Sequence, residues 1–178
     1  MIITSNTAEQ ETVLSAAQAM CTAARTAPKT KGIDRIDTMI LTGEEKDALA
    51  DKMDQLADEL SMGFFHRDAA NVRASQAVVL IGCANAVNGL NDACQFCAFE
   101  NCKANVEANG RCFFNTVDLG IAIGSAVSVA ADRRIDNRVM FSVGRTAMEM
   151  KLMGDHICQI LGIPLSVSGK SPFFDRAK

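Results

Sequence analysis

The sequence predicts an α/β (α+β) domain: a mixed sheet of about four to five strands flanked by helices, with a loop-rich cysteine insert. Three observations lead there. Helical apolar stripes alternate with short apolar runs bounded by turn signals, the order expected when helices cover a sheet. One run, AVVLIGC from Ala77 to Cys83, has no charged or amide side chain, as in a strand buried on both faces. Four of the seven cysteines then fall between Cys94 and Cys112, in a stretch broken by Asn and Gly where no period survives.

Taken in order, Thr7-Ala8-Glu9-Gln10 has capping-box form. Val13, Ala17, Met20, Cys21 and Ala24 follow at helical spacing, which predicts a helix from about Ala8 to Ala27, stopped by Pro28. After KTKG, Asp37 to Leu41 reads as a short strand. Thr42-Gly43-Glu44-Glu45 is a second capping box, and Leu49, Met53, Leu56 and Leu60 trace one apolar stripe behind it. Ser61 to Gln76 lacks a firm period, with room for a short helix around Arg67 to Ala74. Beyond the cysteines, a helix is predicted from Asn115 or Thr116 to Arg133. It is apolar nearly all round, and Gly120, Ala122, Gly124 and Ala126 are small enough for close packing, so it reads as the buried spine. Arg138 to Val143 reads as a strand, Arg145 to Leu161 as a helix with Met150, Met153, Ile157 and Ile160 inward, and Ile163 to Val167 as a last strand.

A chain of 178 residues can bury one sizeable core and is short for two, so residues 1–178 are read as a single domain with a metal-binding insert at about 83–114. Hydrophobic residues make up 48% and charged residues 22%, the balance of a folded globular chain rather than a disordered one. A formal net charge of -3 gives no general pull toward phosphate backbones or anionic lipid. The aromatics are nine Phe with no Trp or Tyr, which leaves few stacking platforms for bases. Nucleic acid is therefore not expected as a partner. The apolar run from Leu119 to Ala131 falls short of the roughly 20 residues needed to cross a bilayer, so no membrane partner is expected. MIITSNTAEQ has no basic region leading into an apolar one, and a cytoplasmic location is expected. There, clustered thiols bind metal more often than each other.

The cysteine spacing is C-x2-C-x4-C-x9-C: Cys94, Cys97, Cys102 and Cys112. Two residues between the first pair let the chain reverse and bring two thiolates onto one soft centre. Four thiolates serve either a tetrahedral zinc ion or the corners of a cubane iron-sulfur cluster. Phe96, Phe99, Phe113 and Phe114 interleave the ligands, an apolar shell that keeps water from an oxidisable centre. The frequent zinc signature has two C-x2-C knuckles, and here there is one. A thioredoxin-type thiol pair would leave Cys102 and Cys112 unexplained. The spacing thus points to iron-sulfur first and zinc second. Cys83 reads as a small buried hydrophobe or a spare ligand, and Cys21 and Cys158 as packing residues on inward helix faces.

The cluster leading into FFNTVDLGIAIGSAV, then IDNRVMFSVG and GIPLSVSGKSPFFDR, resembles a prokaryotic family of uncharacterised proteins described as containing a ferredoxin domain. The resemblance covers nearly the whole chain and implies a [4Fe-4S] cluster on Cys94, Cys97, Cys102 and Cys112. The C-x2-C-x4-C opening also looks like that of electron-transfer subunits of ion-pumping ferredoxin oxidoreductases, which place their fourth cysteine farther downstream. AARTAPKTKGIDRIDTMILTGEEKDALADKM is similar to the opening of nitroreductase-like flavoproteins, and VDLGIAIGSAVSVAA to their central dimer-packing helix. That resemblance implies a nitroreductase-like outline, a homodimer and FMN at its interface. MIITSNTAEQET lacks the arginines that such proteins place before the first helix for the flavin phosphate.

His66, beside Arg67-Asp68, and His156, beside Asp155, read as surface or capping residues. Glu44, Glu45, Asp47 and Asp51 suit the start of a helix. Lys29, Lys31, Lys170 and Arg176 lie on loops near Pro and Gly, where an anionic cofactor phosphate would need charge. Of these, Lys29 and Lys31 are the candidate cofactor-binding pair. No Walker loop, G-x-G-x-x-G after a strand, or Ser-His-Asp arrangement supports a hydrolase or nucleotide fold. The expected function is one-electron transfer through a [4Fe-4S] cluster to a redox partner protein. The alternatives are a zinc-bearing scaffold protein and a flavin-dependent oxidoreductase with its pocket beside Lys29 and Lys31.

Overall fold

The structure is a computed structural model that describes residues 1–174. Its helices are α1 (Ser5–Thr26), α2 (Gly43–Leu60), α3 (Phe64–Arg73), α4 (Cys102–Glu107), α5 (Phe113–Asp132) and α6 (Phe141–Glu149). Its strands are β1 (Ile36–Leu41), β2 (Ala77–Ala84), β3 (Asp136–Asn137) and β4 (Ile157–Ser166). The strands form one sheet in the order β1-β2-β4-β3. Every pairing is antiparallel, so the mixed sheet expected from the sequence is corrected in strand direction.

The reason lies in β2. Ala77, Val79, Ile81 and Cys83 face one helical layer with the inward residues of α1 and α5. Val78 and Leu80 face the other, made by α2, α3 and α6. A strand covered on both sides is apolar throughout whether its neighbours run parallel or antiparallel, so its composition reports burial and not direction. Two hydrophobic cores, one on each side of the sheet, hold the three layers together.

The helix stripes land mostly where their periods place them. Leu49, Met53 and Leu56 of α2 are buried, as are Val13, Ala17, Met20 and Ala24 of α1, but Leu60 at the end of α2 is exposed, a correction to the predicted stripe. Helix α1 starts three residues before the predicted boundary, because Thr4 is the N-cap and its Oγ1 accepts from the Thr7 amide at 3.3 Å. Thr42 caps α2 in extended backbone without a side-chain hydrogen bond. Helix α5 buries Leu119, Ala122, Ile123, Ala126 and Ala130 but leaves Ile121 exposed. It is an outer-layer helix buried along one face, a correction to the spine buried all round. A Cβ added at Gly120 or Gly124 would meet nothing within 4 Å. Among the described residues α5 is the one helix long and apolar enough, by length and composition, to cross a membrane, and its inward face packs on α1 and the sheet.

The C-terminal third departs most from expectation. Arg138 to Val143 is not a strand: Met140 makes one bridge to Gly162, and α6 begins at Phe141. Nor does a helix continue to Leu161. Helix α6 ends at Glu149, Lys151 and Gly154 take left-handed backbone, and Ile157 opens β4. The i, i+3, i+7 spacing of Met150, Met153, Ile157 and Ile160 mimics a helix, but Gly154 at φ +82 breaks it. The branched Ile157, Ile160 and Ile163 then favour the pleated strand.

On the α2–α3 surface, His66 Nδ1 lies 2.7 Å from Asp54 Oδ1, and its Nε2 lies 3.0 Å from Asp58 Oδ1. The Asp54 hydrogen bond, then that to Asp58, holds the imidazole pKa above its usual value. A pKa raised on folding gives stability that is complete below the free imidazole value of about 6.5 and is lost as pH rises through the folded value. The pair is exposed, so its effect is small. The expected result is a shallow fall in thermal midpoint above about pH 6.5 that His66→Gln flattens. An unchanged slope in the variant contradicts the assignment.

Candidate metal centre

Strand β2 leaves the sheet at Ala84, and the next residues are held from below. Arg35 donates from Nη1 to Asn88 Oδ1 at 2.8 Å and to Ala86 O at 3.3 Å, and from Nη2 to Val87 O at 3.0 Å. Lys31 Nζ adds a hydrogen bond to Asn88 O at 3.1 Å. The loop therefore starts from a fixed anchor on the β1 side of the sheet. Beyond it, a single 3-10 turn at Asn91–Ala93 leads into Cys94.

Three non-glycine residues around the C-x2-C pair, Asn91, Gln95 and Ala98, have positive φ values of 46°, 53° and 60°. Left-handed backbone at such residues is uncommon, and here it reverses the chain on either side of the two thiols. The loop then closes on itself. Asn91 Oδ1 accepts from the Cys102 amide at 3.4 Å, and Asn101 Oδ1 caps α4 through the Ala104 amide at 3.0 Å. Helix α4 falls inside the predicted loop and was not legible as a helix, since CKANVE is one short turn-and-a-half between Asn residues. Cys112 is the N-cap of α5, in extended backbone.

All four cysteines of the predicted set, Cys94, Cys97, Cys102 and Cys112, line one cavity together with Phe99, Phe113 and Phe114. Their thiols are free. Among the described residues no three His, Cys, Asp or Glu side chains close on a point that could hold a single ion. Phe96, Phe113 and Phe114 pack on one another with ring centroids 5.1 to 5.8 Å apart, but Phe96 and Phe113 are exposed and Phe96 does not line the cavity, so the apolar shell expected from the sequence is built only in part.

Two asparagines missed by sequence reading, Asn88 and Asn105, line the cavity, and a third, Asn115, is buried in α5 three residues after Cys112. Asn88 is buried, and its Nδ2 lies 3.8 Å from Cys112 Sγ as a donor to sulfur. Asn105 donates to Arg111 O at 3.1 Å, while its Oδ1 is buried without a partner. Asn115, in the first turn of α5, has neither side-chain atom satisfied. Buried amides without partners are costly, and such groups mark places where a polar or ionic occupant belongs. Four thiols, a donor to one sulfur, unsatisfied amides and a partial aromatic wall fit a group that takes four thiolates.

The other candidates lie elsewhere. Lys29 is almost wholly buried along its side chain and donates to Ala24 O at 2.7 Å and Arg25 O at 2.6 Å, closing the end of α1. Lys31 reaches the anchor of the cysteine loop, so the structure does not bring the two lysines together on one group. Arg176 lies outside the described residues. Cys83 sits on β2 away from the cavity wall, its Sγ 3.5 Å from Gln159 Oε1. Cys158 is on β4, not on a helix. Cys21 packs against the α1–α5 core, where burial pushes its thiol pKa up.

Comparison with known proteins bears on the family and the fold. A family model described as an uncharacterized protein containing a ferredoxin domain matches residues 108–176, which include Cys112 alone of the four cysteines. An uncharacterized protein of Archaeoglobus fulgidus is 40% identical over 186 residues, covering 99% of this chain and 98% of its own length. Among solved structures, the nitroreductase CinD of Lactococcus lactis in complex with nicotinic acid matches with a TM-score of 0.56 at 16% identity, covering 93% of this chain and 84% of that one. The FMN- and NADPH-dependent nitroreductase NfnB of a Sphingopyxis strain matches with a TM-score of 0.59 at 11% identity, covering 92% and 82%. At such identities the structural likeness establishes the fold alone. The chain therefore belongs to the family of uncharacterized proteins described as containing a ferredoxin domain, and its fold is nitroreductase-like.

Proposed function

We propose that Cys94, Cys97, Cys102 and Cys112 hold a [4Fe-4S] cluster and that the protein transfers single electrons to a redox partner. The observation that supports this is four free thiols lining one cavity beside Phe99, Phe113 and Phe114, in a family described by its ferredoxin domain. When bound, the cluster supplies reversible one-electron chemistry. The residues of this chain do the rest. Cys112 presents its sulfur at a helix start, and Asn88 donates toward that sulfur, an interaction that favours the reduced, more negative state. Phe99 and Phe114 give the cavity an apolar wall, while Arg35 and Lys31 keep the loop from drifting.

Anaerobic protein titrated with dithionite tests the function. The visible absorption should bleach with uptake of about one electron per chain and recover on reoxidation. Colour that takes up no electron overturns the proposal.

The fold favours a second reading, in which a flavin binds the body and exchanges electrons with the cluster. NfnB is described as FMN-dependent, and it shares this outline. Quenching of FMN fluorescence by the anaerobic protein supports that reading; no quenching well above micromolar FMN removes it. A homodimer over the exposed face of α5, with Gly120, Gly124 and Ile121, belongs to the same proposal, and sedimentation at a single chain mass would sink it.

A further inference from the structure

A second thiol site lies apart from the four-cysteine cavity, where β2 and β4 lose register. Cys83 pairs with Gln159 and Ala84 with Ile157, so Cys158 is the extra residue of a bulge. In a regular strand Cys158 would lie on the face opposite Gln159. The bulge re-aims it, and both Cys83 and Cys158 pack into the core on the α1–α5 side of the sheet while Ile157 packs on the other. A bulge sets two residues of one strand against one of its partner, so Cys158 and Gln159 stand together opposite Cys83, with both cysteines on the same face of the sheet.

The two thiols differ in access. Cys83 is fully buried. Cys158 is half-buried and lines a mostly apolar cavity of about 200 Å³ with Leu119, Phe141, Met148 and Leu161 together with the charged Arg145. The wall at this point is fixed by polar contacts: Thr116 Oγ1 donates to Gln159 Oε1 at 2.9 Å, and the Cys83 thiol faces the same oxygen. A reagent entering this cavity thus meets one sulfur, with a second directly behind it.

We infer that Cys158 and Cys83 form a dithiol exchange site that reduces a small disulfide carrying an apolar arm, with Cys158 the attacking and Cys83 the resolving sulfur. The Cys158 thiolate attacks one sulfur of the external disulfide. That S–S bond breaks, one half leaves as a thiol and the other stays bonded to Cys158. Cys83 then loses its proton and attacks Cys158 Sγ, the Cys83–Cys158 bond forms, and the second half leaves as a thiol. Two electrons pass from the protein to the external disulfide, and the two protons of the dithiol end on the released thiols. The asymmetry of the pair fits these roles. The neighbouring Cys83 thiol and the charge of Arg111 favour the Cys158 thiolate and lower its pKa, whereas the neighbouring Cys158 and burial keep Cys83 protonated until it is needed.

The test uses the full anaerobic protein and the aromatic disulfide dithiodipyridine, followed by alkylation and cleavage before Asp. Cleavage at Asp68, Asp92, Asp155 and Asp175 isolates Cys83 in fragment 68–91 and Cys158 in fragment 155–174, separate from Cys94, Cys97, Cys102 and Cys112. The expected product is a dithiothreitol-sensitive link between these two fragments. In Cys83→Ser, Cys158 should retain a pyridyl-sulfide adduct and the second thiol release should vanish. Unlinked fragments after excess reagent overturn the inference, as does an adduct that persists on Cys158 in the unsubstituted protein. The fragment map of the unsubstituted chain decides the matter even if the variant does not fold.

Discussion

Cys97→Ala is expected to lose at least about tenfold in retained iron after anaerobic purification and desalting, while the far-ultraviolet spectrum stays that of the native fold. The scale follows from metal sites in general, where removing even an outer partner costs about 10- to 100-fold in affinity, so losing a direct thiolate costs no less. Cys97 lies between two left-handed residues, Gln95 and Ala98, in a loop that contributes no residue to either sheet-facing core. Its removal therefore touches the centre and not the scaffold. Cys21→Ala is the control, since Cys21 packs in the α1–α5 layer and should retain full iron. Equal iron in both variants contradicts the ligand assignment.

Gly144→Ala is expected to destabilise the chain by about 3 kcal/mol, at the top of the usual range for overpacking, and to lower the thermal midpoint by about 6–12 °C. A Cβ at Gly144 would fall onto the backbone carbonyl of Ile160, where α6 crosses β4. Neither partner is a side chain that can rotate away, so the helix must lift off the strand and open the core around Val143, Met140 and Ile160. Gly82→Ala should cost less, about 1–2 kcal/mol, because its closest contact, at 2.7 Å, is the Cγ2 methyl of the Ile157 side chain. The check is thermal unfolding of both variants in one buffer. A Gly144→Ala midpoint above that of Gly82→Ala would show that α6 does not sit on β4 at this distance.

The same crossing explains where the sequence was readable. Helices α1, α2 and α5 announce themselves because their stripes repeat over many turns and their ends carry caps or Pro. Strand β2 is legible because burial on both faces leaves no polar position. Helix α6 and strand β4 are not, because the residues between them satisfy a helical spacing by coincidence, and the deciding feature is the contact of Gly144 with a backbone 16 residues away. Local pattern carries no record of that contact.

The candidate centre divides in the same way. Cys94, Cys97, Cys102 and Cys112 are visible through spacing, since thiolates that share a centre must lie close along a tight loop. Arg35 and Asn88 meet across 53 residues, so nothing near either one signals the anchor they form. The Cys83–Cys158 site is more remote still. It depends on one residue of register between β2 and β4, and a bulge leaves no signature in composition.

The central claim is that the four-cysteine cavity holds an iron-sulfur cluster, and metal and sulfide analysis of anaerobically purified protein tests it most directly. The account expects a brown protein with about four irons and about four acid-labile sulfides per chain and no stoichiometric zinc. A colourless protein with about one zinc per chain and no labile sulfide contradicts it.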